Sequence, residues 1–474
     1  TCFREVAASA PTGGVESDIV TDFGKTRALT SESLNGKRLW QGGMRHCGHG
    51  RGTVSVRVSC CSLKGNIMAV TVKRDLRTGR PVWLDRRLPH IPNEELKRSI
   101  SCDVLVVGAG ISGAIIAEAL SATGMKVVIV DRRGPVQGST AASTALLQYE
   151  IDTPLSVLGE RIGRERAERL WRRSRLAVDA LRERTRALGI QAEQATRDSL
   201  YLSGNVLDAA GLEAETEARQ RAGFEVSFLK PAAVLAEYGI KGRSAIVGRD
   251  NYMADPRLLA AGYLNAAVAQ GAKIYSPVEV TDVSASKSGV VVATRDGPEI
   301  KCASLVFATG YEMLKGIPKK GNSIISTWVI ATKPQPRKIW PTGCIIWEAA
   351  DPYLYIRTTP EGHVICGGED AEISDADERD ALNEAKTKRL VEKLGKLLPM
   401  IDPTADFSWS GSFGDSTTGT PTIGPVPRMP NCYAAMGYGG NGITFSMMAG
   451  QMLRGMITGV GDPDSDLVSF ARKF

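Results

Sequence analysis

The sequence predicts an α/β fold: a Rossmann-like dinucleotide-binding domain, built from βαβ units on a parallel sheet, with an inserted antiparallel-sheet domain. Three observations predict it. An apolar run enters a Gly-x-Gly-x-x-Gly turn at residues 108–113 and continues as helix, second strand and terminal acid. A second glycine-rich turn, Gly437 to Gly442, precedes a helical stretch near the C-terminus. Residues 190–250 and 322–400 carry strand-like runs. The expected boundaries are 103–190, 251–321 and 405–474 for a discontinuous dinucleotide domain, 191–250 with 322–404 for the inserted domain, and 68–102 for a lead-in.

Composition is compatible with this and excludes other classes. The 474 residues are 43% hydrophobic and 23% charged, enough apolar material for a full core in two or three domains. The net charge of +7 resides at one end, because residues 1–100 hold 17 Lys+Arg against 9 Asp+Glu and the remainder is close to neutral. No basic face for nucleic acid needs to be invoked. No run of eighteen apolar residues occurs, so no membrane-spanning helix is expected. The nine cysteines are odd in number and unpatterned, which implies reduced thiols and a cytoplasmic setting. Cys47, His49, Cys60 and Cys61 match no structural zinc spacing, and no metal is expected.

Residues 1–67 are rich in Gly, Ser and Thr without periodicity. Glu5, Glu16, Asp18, Asp22 and Glu32 fit poorly with an acid-poor targeting segment. The expectation is that the working protein begins near Met68, preceded by a disordered or non-native leader.

From Asp103 the chain reads DVLVVGAGISGAIIAEALSATGMKVVIVDRR. Val104 to Val107 suit a strand buried on both faces. Gly108 permits the tight turn, Gly110 lets backbone approach a pyrophosphate, and Gly113 lets helix pack closely on strand. Ile111 and Ser112 open a helix to Ala122, whose N-terminus offers free N–H groups and positive dipole to phosphates. Val127 to Val130 form the second strand, and Asp131 at its end would accept hydrogen bonds from a ribose diol and disfavour a 2′-phosphate. Arg132 and Arg133 weaken that exclusion. The fingerprint itself does not separate FAD from NAD.

Three further segments decide between them: GSTAASTALLQYEID at 138–152, the stretch from Asp255 through GAKIYSPVEVTDV to SLVFATGYE, and NCYAAMGYGGNGITFSMMAGQMLRGM at 431–456. With the fingerprint, they resemble the FAD-dependent D-amino-acid oxidase, glycine oxidase and sarcosine oxidase family over most of residues 80–460. The resemblance implies a Rossmann-like FAD-binding domain and an antiparallel substrate-binding domain capping the flavin. It implies that Ser139, Ser143, Thr144 and Ala145 pass the pyrophosphate and isoalloxazine, although a plain Ser/Thr/Ala loop reads equally well. Val280 would give backbone contacts to the adenine, or be merely a core valine. Ala308, Thr309 and Gly310 would close a strand against the nucleotide. Gly439, Gly440, Asn441, Gly442, Ile443 and Thr444 would lie beside the flavin pyrimidine end, where a helix N-terminus stabilises negative charge on the reduced ring. NAD dehydrogenases have no counterpart of this turn. Met447, Met448, Met452 and Met456 fall on helical spacing and read as core.

In YLYIRTT, residues 353–359, alternation puts Tyr353, Tyr355 and Arg357 on one face. They are candidates for the catalytic pocket; a solvated sheet face is the competing reading. Where glycine oxidase has Trp-x-Gly-x-Arg to bind a substrate carboxylate, this chain has Trp409, Ser410, Gly411, Ser412 and Phe413. Carboxylate recognition would then fall on Arg357 alone, and a substrate without an α-carboxylate becomes an option. Residues 405–430 hold no Cys or His for a covalent flavin link, so FAD is expected to be non-covalent.

The resemblance therefore implies an FAD-dependent oxidoreductase acting on the C–N bond of a small amine or amino acid. Hydride would pass to flavin N5, water would hydrolyse the imine, and oxygen or another acceptor would reoxidise the flavin. The alternatives are an NAD-linked dehydrogenase and a non-catalytic flavin-binding subunit. The Arg-rich stretch 162–188 reads as an exposed or partner-facing helix, and oligomeric state is left open.

Overall fold

The structure, a computed structural model, describes residues 70–315 and 322–472. The expected leader and the cysteines at positions 47, 60 and 61 lie outside the described residues.

Two sheets organise the chain. The first has eight strands, with a parallel centre in the order Cys432–Met436, Glu299–Phe307, Ile100–Val107, Val127–Val130 and Lys273–Tyr275. Thr422–Pro425 pairs antiparallel at one edge, and a meander of Val280–Ser286 and Gly289–Thr294 joins Glu299–Phe307. Its central strands are apolar on both faces because both are covered: Val104, Val106, Val127 and Ile129 pack on the helix side, while Leu105, Val128 and Val130 face the meander. The helices are Ile111–Ser121, Pro256–Ala269 and Gly442–Thr458, the first packing between the other two.

The second sheet has ten strands and is antiparallel except where Ile345–Glu348 runs parallel to Ala195–Leu202. Its middle is Ala405–Ser416, Asn322–Thr332, Val364–Ala371, Leu354–Thr358 and Ile345–Glu348. The strand-like runs seen in the sequence are thus real strands. Ala405–Ser416 corrects the boundary drawn at residue 405, since it pairs along its length with Asn322–Thr332. Local alternation reveals a strand but not which sheet it joins.

The Arg-rich stretch becomes two helices, Leu155–Ile162 and Arg164–Ala187. The longer buries Leu170, Trp171, Ala177, Val178 and Leu181 on one face, so it is a packed helix with a charged outer side. Its outer arginines pair locally, as Arg172 with Glu168 and Arg175 with Asp179.

The lead-in is structural. Trp83 is fully buried with Val329, Ile365 and Trp409, and its Nε1 donates to the Ser143 carbonyl at 2.8 Å. Trp83→Ala removes a large buried ring and that bond, and is expected to cost about 3–5 kcal/mol in stability, measured by denaturant unfolding.

Candidate functional site

One continuous cavity runs between the sheets, and both glycine turns line it. At the first turn Gly108 has φ +116°, and a Cβ there would sit 2.3 Å from the Ala308 carbonyl oxygen. A Cβ on Gly113 would sit 1.8 Å from the Gly108 carbonyl oxygen, which explains the third glycine as a packing requirement. Gly113 is accordingly behind the cavity wall, whereas Gly108, Gly110, Ile111 and Ser112 form it. Gly110 caps the helix without a side chain, so no cap side chain takes up the Ser112 amide at the cavity wall. The Ile111 amide donates to Thr140 Oγ1 at 3.0 Å, a partner that the small-residue loop concealed among similar residues.

Asp131 lines the cavity, and three backbone amides fix its carboxylate: Ala109 at 2.8 Å, Arg133 at 2.7 Å and Gly134 at 3.0 Å. Burial pushes its pKa up, opposed by those amides. Arg132 and Arg133 are engaged by Glu312, at 2.6 and 2.7 Å, so neither cation is left unpaired beside Asp131. Glu312 was not singled out in the sequence because its partners lie about 180 residues away.

Ser139, Ser143, Thr144, Ala145, Val280, Ala308, Thr309 and Gly310 all line the same cavity. So do Gly439, Gly440, Asn441, Gly442 and Ile443. Thr444 does not; its hydroxyl donates to the Gln148 carbonyl at 2.9 Å, and Asn441 Nδ2 donates to the Glu150 carbonyl at 2.9 Å. These bonds stitch the C-terminal turn to residues 148–152. The two helices behind the turns touch through Ser112 Oγ and Ser446 Oγ, 2.8 Å apart. A Cβ on Gly450 would meet Ile115 Cγ2 at 3.2 Å, so their axes approach closely.

At the far end the wall is aromatic: Tyr353, Tyr355, Trp347, Tyr311 and Phe413. Tyr355 hydroxyl and Thr327 Oγ1 are 2.9 Å apart, and burial holds both the Tyr353 and Tyr355 phenols well above their usual range. Arg357 is not with them. Its Nη1 donates to the carbonyls of Thr144 at 3.1 Å, Ala145 at 2.9 Å and Ala254 at 2.8 Å, and its guanidinium lies 5.3 Å from the Trp83 ring. Burial lowers its pKa to about 9, against the attraction of Asp255, so it stays charged at neutral pH. The expectation that Arg357 binds a substrate carboxylate is therefore corrected: two-residue alternation chose the right face, but the residue lies farther along the strand, behind the loop at 143–145.

Asp152 was missed. It follows the small-residue loop, lines the cavity, and accepts the Gly440 amide at 2.7 Å. Gln148 and Trp347, both nearly fully buried, also line this end with Nε2 and Nε1 lacking a protein partner. Among the described residues no group of three or more His, Cys, Asp or Glu is placed to hold a metal.

The cradle fits an extended dinucleotide. Amides at two helix starts and a fixed carboxylate face one space, and a side chain on Gly108 would strike the opposing backbone. Comparison with known proteins agrees. Residues 103–456 match the family described as FAD dependent oxidoreductase. Gamma-glutamylputrescine oxidoreductase of Escherichia coli (strain K12) is 23% identical over 380 residues, spanning 78% of this chain and 87% of that protein. Glycine oxidase of Geobacillus kaustophilus (strain HTA426) is 25% identical over 375 residues, spanning 75% and 92%. The crystal structure of glycine oxidase from Geobacillus kaustophilus superposes with a TM-score of 0.62 at 21% identity, covering 79% of this chain and 99% of that one.

Two substitutions test the construction of the site. Gly113→Ala must displace the first turn from its helix, and the protein is expected to lose dinucleotide affinity at least about tenfold, read by quenching of free flavin fluorescence on titration. Arg357→Gln leaves buried carbonyls short of donors and is expected to lower stability by about 2–4 kcal/mol in chemical denaturation.

Proposed function

The chain belongs to the FAD-dependent oxidoreductase family, and on that premise we propose that it oxidises the carbon–nitrogen bond of a small amine or amino acid, with FAD held non-covalently along the cavity. One observation carries the reading. Two turns separated by more than 300 residues, each opening a helix without a side-chain cap, line one cavity that ends in an aromatic wall.

In this reading the turn at Gly108–Ser112 takes the pyrophosphate, Asp131 the ribose diol, and Val280 the adenine end. Gly439 to Ile443 lie at the pyrimidine end, where the first-turn amides of Gly442 and Ile443 favour negative charge. Gly440 contributes less there than its neighbours, since its amide is given to Asp152. When bound, the flavin supplies a hydride acceptor at N5 for the carbon bearing the nitrogen, and water hydrolyses the imine product. The chain's own work is positioning and exclusion of water. Tyr353, Tyr355 and Trp347 wall the reactive end, and the buried phenols of the two tyrosines stay neutral at physiological pH.

Non-covalent attachment is supported by the lining, in which no cysteine or histidine occurs among the described residues. The five described cysteines are free, which supports a reducing compartment such as the cytoplasm. Reoxidation by oxygen or by another acceptor fits this site equally.

The visible spectrum of the purified protein tests the reading. Flavin absorption that acid denaturation releases into solution, and that bleaches on anaerobic addition of an amine, is the expected outcome. A colourless protein that takes up no FAD on reconstitution overturns it.

A further inference from the structure

The two ends of the cavity differ in charge. Around the fingerprint, the lining includes Asp131, Arg132, Arg133, Glu279 and Glu312, a set of mixed sign. At the aromatic end the sole charged lining side chain among the described residues is Asp152. The residue is accessible from the cavity it lines, while protein atoms crowd its carboxylate. One carboxylate oxygen accepts the Gly440 amide; no arginine, lysine or histidine of the described residues pairs with it. A Cβ on Gly440 would come within 2.8 Å of both carboxylate oxygens, so the glycine is what admits Asp152 to this position.

Among the described residues no cation acts on it. Asp370, on the strand Val364–Ala371, stands behind the Tyr353 and Tyr355 rings with one oxygen buried and unpartnered. Asp415 also acts on Asp152. Phe413 lines the cavity with an apolar ring, and Arg357 is consumed by backbone carbonyls. A carboxylate ligand would therefore be repelled at this end and would meet no cation among the described lining residues. An ammonium would find an uncompensated carboxylate among aromatic faces, the arrangement that favours a cation. Independently, the orphaned Gln148 Nε2 and Trp347 Nε1 show that the same end is built for a polar ligand, since buried donors left unpaired are costly.

We propose that Asp152 determines substrate specificity by binding the non-reacting ammonium of a diamine-class substrate that carries no α-carboxylate. The inference rests on the amine-oxidising reading above and narrows it. Gly440 serves as a positioning residue through its amide, and the aromatic wall packs along the alkyl chain. Burial pushes the Asp152 pKa up to about 6, with the Gly440 amide lowering it and Asp415 raising it. The groups facing it are Asp370, itself pushed up to about 7 by burial, and the phenols of Tyr201, Tyr311, Tyr353 and Tyr355, which stay neutral. Because the anion is the binding form, affinity for a cation is retained above about pH 6 and falls as pH drops through it.

Calorimetric titration of the protein loaded with chemically pre-reduced FAD, without oxygen, tests this by binding rather than turnover, because reduced flavin accepts no hydride. The probes are 1,4-diaminobutane, n-butylamine and 4-aminobutanoate, with wild type and Asp152→Asn. Wild type is expected to prefer the diamine over 4-aminobutanoate by at least about tenfold, to lose affinity for it below about pH 6, and Asp152→Asn to weaken diamine binding about 10–100-fold and flatten that pH dependence. Flavin content of the variant reports that it is folded. Equal binding of diamine and 4-aminobutanoate, no diamine binding at all, or an unchanged ratio in Asp152→Asn each overturns the proposal. Failure of the wild type to take up FAD would instead defeat the functional reading on which it rests.

Discussion

The close side-by-side packing of two helix starts is the constraint on which the rest depends. Ile111–Ser121 and Gly442–Thr458 come from opposite ends of the described chain, and Gly450 against Ile115 with the Ser112–Ser446 contact lets them approach. A larger residue at Gly450 would press on Ile115 and separate the two N-termini. Once they are adjacent, both sets of uncapped amides face one space, and an elongated anion can satisfy both. Local glycine turns become a single dinucleotide cradle only through this long-range contact.

The loop closing that cradle is held from behind. Trp83 Nε1 donates to the Ser143 carbonyl, Trp409 Nε1 to the Ala142 carbonyl, and Arg357 to those of Thr144 and Ala145. Three elements distant in sequence thus satisfy successive carbonyls of one segment, leaving its other side to the cavity. Ala145 takes φ +53°, a conformation that the buried guanidinium helps to hold. Burying Arg357 among carbonyls is costly, and Asp255 nearby offsets part of that cost through its charge. The charge that might have met a substrate instead shapes the wall.

The parts legible in the sequence were those encoded locally. Strand, glycines, helix, strand and acid at 103–131 appear where pattern places them, with Val127–Val130 matching residue for residue, because each requirement falls within one βαβ unit. The inserted strands were visible through alternation, but the membership of Ala405–Ser416 in the second sheet was not, since pairing partners leave no local trace. The amphipathic face of Arg164–Ala187 was masked by its arginine count. Arg357 shows the limit of periodicity, which yields a face but not a depth along the strand. Asp152 was illegible for a related reason: its partner amide is 288 positions away, and nothing in the segment distinguishes it from a solvated loop acid.

Asp152 also links the two ligand regions physically. Gly440 is bare because a side chain there would collide with the carboxylate, and its amide is the donor that holds that carboxylate. The C-terminal glycine turn and the charge at the aromatic wall are therefore one unit, stitched further by Asn441 and Thr444 to the backbone of residues 148–150. A shift of the helix start would move Asp152 with it, so the electrostatic character of the aromatic end is tied to the position of the C-terminal glycine turn. With Phe413 apolar and Arg357 turned to the loop, the described residues lining this end carry negative charge with no cation among them to balance it.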